Sequence, residues 1–137
     1  MIGILIVTHE KLGEALIDAA EFILAAKLEA ALAISININE NAEDLRNKIA
    51  RGIKDVDRQQ GVVILTDMFG GTPSNLSYSF LDEGLVEVLS GVNLPILIKA
   101  VDARSAMDLS KLTETLEVYG KKSISMASGI LRGNKRN

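Results

Sequence analysis

The sequence has no cysteine and no tryptophan, only two prolines and a single histidine, and aromatic residues make up just 4% of its 137 positions. Without cysteine there is no disulfide, no thiolate metal site and no cysteine nucleophile, so a reducing cytoplasm is the expected setting. No apolar run approaches the ~20 residues that cross a bilayer. The opening Met-Ile-Gly-Ile has no basic region ahead of an apolar stretch, so neither an export signal nor a membrane span is expected. Charge of one sign is also unevenly supplied. The last six residues carry Arg132, Lys135 and Arg136 and no acid, so residues 1–131 hold 12 of the 15 basic side chains and all 18 acidic ones, a net of −6. An acidic body poor in aromatics lacks the basic stripe of a nucleic-acid binder. Residues 132–137 read as a solvated, frayed tail behind one domain at 1–131.

What is present is an alternation of apolar runs and helical patterns. Ile2–Val7 is almost continuously apolar, as in strands buried on both faces. Leu12, Leu16, Ala19 and Ile23 then recur at helical spacing, with Ala15 and Ala20 widening the stripe. A second strand is expected over Ala31–Ile38, followed by a helix capped by Asn41 with Leu45, Ile49, Ile53 and Val56 inside. Val62–Thr66 reads as the third strand. Thr72 and Pro73 read as the N-cap and first residue of a helix that buries Leu76 and Phe80.

Val86–Leu89 supplies a fourth strand, and Pro95 sits in the first turn of another helix. Ser105 and Asp108 resemble a capping box for a helix through Leu109, Leu112, Leu116 and Tyr119, which Gly120 would end. From Lys121 to Ala127, Ile124 and Met126 alternate with serines, the pattern of a strand covered on one face. The expected fold is an open, mostly parallel, doubly wound α/β sheet with helices on both faces and a late antiparallel edge strand.

In such sheets ligands bind beyond the carboxyl ends of the strands, where connections diverge to either side. Thr8 and His9 follow the first strand and Asp67 follows the third. If those strands are neighbours, the imidazole and the carboxylate meet in one crevice. A neutral imidazole nitrogen can attack phosphorus, while a carboxylate on the other ring nitrogen fixes the tautomer and stabilises the developing positive charge. The plainer reading of His9 is a polar residue tolerated at a strand end, and that of Asp67 a turn former.

The segment Asp67-Met68-Phe69-Gly70-Gly71-Thr72-Pro73-Ser74-Asn75 adds two glycines that permit close backbone approach, and a helix N-terminus suited to a phosphate. Gly70, Gly71, Thr72 and Ser74 are therefore the candidate phosphate-binding residues. The Thr72 hydroxyl can cap the helix, touch a phosphoryl group, or alternate between the two. No Gly-Lys-Ser or Gly-Lys-Thr follows the glycines, which excludes a nucleoside-triphosphate loop. A receiver domain would carry an acidic pair where this chain has Thr8-His9-Glu10.

Gly-Ile-Leu-Ile-Val-Thr-His at residues 3–9, the segment Asp67–Asn75, and Ser-Gly-Val-Asn-Leu-Pro at residues 90–95 occur in the same order as three motifs of a known family. Together they resemble the enzyme IIA component of the mannose/fructose/sorbose class of the bacterial phosphotransferase system. The resemblance implies that His9 is phosphorylated at Nε2 with Asp67 as its hydrogen-bonding partner. It implies phosphoryl transfer from the phosphocarrier HPr to a histidine of an enzyme IIB, without metal or other cofactor, at most peripheral to a membrane transporter. It also implies a homodimer exchanging a C-terminal strand, for which Lys121–Ala127 is the candidate. The related phosphoryl-donor subunit of dihydroxyacetone kinase typically has Asp-x-Gly-Ser in place of the longer Gly-Gly-Thr-Pro form found here. A free-standing regulatory protein whose partner binding follows His9 phosphorylation would need the same chemistry. Glu10 departs from the family, whose members usually have a small residue such as glycine or serine there. A carboxylate beside phosphohistidine would repel it if the two side chains face each other.

Overall fold

A computed structural model describes residues 1–133. Its first half alternates strand and helix: β1 (Gly3–His9), α1 (Leu12–Leu24), β2 (Ala31–Ile36), α2 (Ala42–Val56), β3 (Val62–Thr66) and α3 (Thr72–Tyr78). After β4 (Val86–Ser90) come three helices, α4 (Leu94–Ala103), α5 (Leu109–Lys122) and α6 (Ala127–Leu131). The four strands form one sheet in the order β2-β1-β3-β4, and every pairing is parallel.

The apolar runs explain the layering. β1 pairs on both sides, and Ile4, Leu5, Ile6 and Val7 are all fully buried. Their side chains alternate between faces. Ile4 and Ile6 join Val63 and Leu65 in a core completed by Ala20 of α1, Leu97 of α4, and Leu112 and Leu116 of α5. Leu5 and Val7 join Val62 and Ile64 on the other face, beneath Leu45 and Ile49 of α2 and Leu76 of α3. Helices thus cover both faces. The chain leaves β1 for β2 on one side and then crosses to β3 on the other, so the carboxyl ends of β1 and β3 flank the point of divergence. Among the described residues no helix is long and apolar enough to cross a membrane.

Local chemistry sets most element boundaries. Asn41 caps α2 by accepting from Asp44 N–H at 2.8 Å, and Asn93 caps α4 by accepting from Ile96 N–H at 2.8 Å. Several boundaries differ from expectation. α1 packs through Gly13, Leu16, Ile17 and Ala20, leaving Leu12, Ala15 and Ile23 exposed. The cause is small side chains: a Cβ on Gly13 would lie 3.1 Å from Ile6 Cγ2 and 3.3 Å from Thr8 Oγ1, so the glycine lets the helix seat on the sheet along that line. The cap of α5 is Asp108 alone, which accepts from Lys111 N–H at 2.8 Å. Ser105 still belongs to the turn that ends α4, where Ala106 N–H bonds to Ala103. Gly120 does not end α5 but is buried in it against Ile96.

The segment Lys121–Ala127 is not a strand within one chain. Lys121 and Lys122 complete α5, Ser123 caps it, and α6 begins at Ala127. Alternation of apolar and polar residues makes a strand only where a neighbouring backbone pairs with it, and Ile124 and Met126 stand 82% and 76% exposed instead. Of the basic tail, Arg132 caps α6 by its backbone N–H and bonds Ser128 O through its side chain. Lys135 and Arg136 lie outside the described residues.

Candidate active site

His9 is the last residue of β1 and Asp67 the first residue beyond β3, and the pairing of Val7 with Thr66 sets the two side by side. Asp67 Oδ2 accepts a hydrogen bond from His9 backbone N–H at 2.9 Å and stands 2.8 Å from His9 Nδ1. Its other oxygen, Oδ1, accepts from Met68 N–H at 3.1 Å. An ionised carboxylate only accepts, so this geometry places the neutral ring's proton on Nδ1 and leaves the Nε2 lone pair open. The Asp67 side chain is 11% exposed and His9 48%, which makes the first a fixed support and the second an accessible group.

The loop beyond Asp67 closes over the ring. A Cβ on Gly71 would lie 2.8 Å from His9 Cε1 and 3.2 Å from Nε2. Only a residue without a side chain lets the backbone approach the imidazole this closely. Ser74, fully buried, braces the loop: its hydroxyl accepts from Gly70 N–H at 3.1 Å and donates to Gly71 O at 3.0 Å. Gly71 is the N-cap of α3 and Thr72 its first residue. The cap position expected at Thr72 is thus one residue earlier, because the extended Gly71 already offers its carbonyl to Asn75 N–H, and no side chain caps this helix. Phe69 packs against Tyr78, ring centroids 6.0 Å apart, and remains exposed beside Met68.

His9 and Thr72 share a cavity of about 490 Å³ with Glu10, Ile36, Ile38 and Leu45 among its walls. At the sheet's carboxyl edge the structure brings Asp67 and Gly71 against the His9 ring and sets Thr72 in the same cavity as His9, while Ser74 and the Gly70 N–H are directed at one another. Reading residues in order missed the backbone at Glu10, which has φ = +50°. Such a left-handed backbone favours glycine, and a glutamate gives no local sign of it. Repulsion is therefore not the only consequence of Glu10. The buried Thr8 hydroxyl was also missed, because its partner at Gly13 is defined by the turn.

The family model described as "PTS system fructose IIA component" matches residues 3–117. The chain is 30% identical over 129 residues to the PTS system fructose-specific EIIA component of Bacillus subtilis, covering 93% of this chain and 88% of that protein. It is 36% identical over 104 residues to the mannose-specific EIIAB component of Escherichia coli, spanning 75% of this chain and 32% of that longer protein. The crystal structure of phosphotransferase system component EIIA from Streptococcus agalactiae superposes with a TM-score of 0.84 at 28% identity, covering 93% of this chain and 98% of that one.

Proposed function

Because the chain belongs to the mannose-class enzyme IIA components of the phosphotransferase system, we propose that it carries a phosphoryl group on His9 Nε2 between phospho-HPr and an enzyme IIB, in service of sugar uptake. The observation that carries this reading is the bond between His9 Nδ1 and Asp67 Oδ2, which leaves Nε2 as the free nucleophile.

The steps balance without a further reactant. The Nε2 lone pair attacks the phosphorus of the donor's phosphohistidine, the donor's N–P bond breaks, and its imidazole leaves with the bonding pair. His9 then bears phosphoryl on Nε2 and a proton on Nδ1, so its ring is cationic, and Asp67 faces that charge. Transfer to the acceptor histidine reverses the sequence. Gly71 supplies clearance beside Nε2. Thr72, whose hydroxyl makes no cap bond, is the polar side chain of the α3 start that shares His9's cavity, and we assign it to the phosphoryl oxygens. Ser74 and Gly70, candidates for the same role, act by holding the loop.

The expected setting is the cytoplasm, as a homodimer. The exposed Ile124 and Met126 supply an apolar segment for a partner chain, and β4 ends the sheet with one unpaired edge. The reading is tested by incubating the protein with enzyme I, HPr and phosphoenolpyruvate. It should gain one phosphoryl group per chain and lose it on addition of a cognate enzyme IIB. Failure to gain the group from phospho-HPr would contradict the assignment.

A further inference from the structure

Thr8 precedes His9 and is fully buried, with its side chain on the α1 side of the sheet. Its hydroxyl accepts from Gly13 N–H at 2.9 Å and has the carbonyl of Glu10, at a long 3.5 Å, as acceptor for its own proton. Between those two anchors the chain turns from strand to helix. Lys11, at the N-cap, provides no side-chain cap, so the Thr8 hydroxyl supplies the side-chain acceptor at the start of α1. Glu10 makes the turn at φ = +50°, a backbone that L side chains resist. Its N–H is tied to Ile36 O at 3.1 Å. The imidazole is thus joined to a strained residue whose amide is tied to β2 and whose turn is closed by the bond between the Thr8 hydroxyl and Gly13 N–H.

We infer that Thr8 is a positioning residue for phosphoryl transfer: its hydroxyl holds the left-handed turn at Glu10 and so sets the pose in which His9 meets Asp67 and Gly71. The inference rests on His9 being the phosphoryl carrier. It differs from a simple helix-capping role in one respect. A glycine at position 10 takes φ = +50° without strain, so a turn containing it needs no clamp. The contribution of the hydroxyl to His9 therefore depends on Glu10, whereas its contribution to α1 does not.

The test compares T8V, which keeps the shape and loses the hydroxyl, with T8S, E10G and the double variant T8V/E10G. Single-turnover transfer from phospho-HPr is followed together with the ¹⁵N NMR signals of the His9 ring, which report the tautomer and the bond to Asp67 without any transfer. T8V should slow transfer on the order of tenfold or more, the scale of losing a supporting hydrogen bond behind a reactive histidine. It should also shift the Nδ1 signal, while T8S stays near the unmodified protein. Adding E10G to T8V should restore both transfer and the ring signals, leaving only a lowered melting temperature. If T8V alone does not fold, E10G against T8V/E10G decides: equal transfer rates support the inference, and a slow or unfolded double variant overturns it. Unchanged transfer and spectra in T8V, a T8S as slow as T8V, or no restoration by E10G would each overturn it too. Absence of label on the unmodified protein would count against the phosphocarrier reading, whereas coupling of position 8 to the His9 spectrum is read independently.

Discussion

Asp67 Oδ2 meets His9 twice, at the backbone N–H (2.9 Å) and at ring Nδ1 (2.8 Å). One oxygen therefore fixes both where the strand end sits and how the ring is turned. This double contact depends on β1 and β3 being adjacent, so the topology is what brings the two residues within reach of each other.

Removing the carboxylate separates chemistry from folding. Asp67→Ala should slow phosphoryl transfer by about 10²-fold, since both the tautomer and the developing ring charge lose their support. The loss of stability should be only about 1 kcal/mol, the scale of a hydrogen bond at a partly exposed site. Rapid-quench transfer kinetics beside a thermal melt checks this. Unchanged transfer would reduce Asp67 to a turn residue.

Gly71→Ala is a sharper probe, because the backbone at Gly71 (φ −92°, ψ 172°) suits any residue. The added methyl has one neighbour to disturb, the His9 ring at 2.8 Å. Displacing the nucleophile by about 1 Å typically costs about 10²-fold in rate. We expect that loss of transfer with a melting temperature near that of the unmodified protein. Full activity would show that the ring does not work in this pose.

Glu10→Gly should stabilise the fold. Relief of the left-handed backbone is worth about 1–2 kcal/mol, offset by about 0.5–1 kcal/mol of extra freedom in the unfolded chain. The net gain should raise the melting temperature by roughly 2–5 °C by calorimetry. A lowered melting temperature would mean that the Glu10 side chain supplies a stabilising contact of its own.

Truncation after Ser123 removes Ile124 and Met126, the exposed apolar residues assigned to a partner chain. Light scattering should show a monomer where the full chain is a dimer. A dimer of unchanged stability would place the contact elsewhere.

The sheet was legible because β1 up to Val7 and β3 up to Leu65 are continuously apolar, as strands paired and covered on both sides require. His9 and Asp67 were legible for a related reason, since polar residues directly after such strands fall at the carboxyl edge. The packing face of α1 was not, because hydrophobic periodicity weights Leu12 and Ile23 above Gly13, while contact distance favours the glycine. The segment Lys121–Ala127 has strand patterning but is no strand within the single chain, because the pattern carries no information about whether a pairing backbone is present. The place of Ser74 near a helix start suggests a phosphate ligand, whereas the bonds of its hydroxyl to Gly70 and Gly71 follow from the loop's shape, which no local pattern announces.

The central claim is that His9 carries the phosphoryl group. Labelling with radioactive phosphoenolpyruvate through enzyme I and HPr, followed by peptide mapping, tests it most directly. We predict one acid-labile, base-stable label on the peptide containing His9, and none on His9→Ala, whose fold should be intact because the side chain is half exposed. Label on His9→Ala at the level of the unmodified protein would contradict the account.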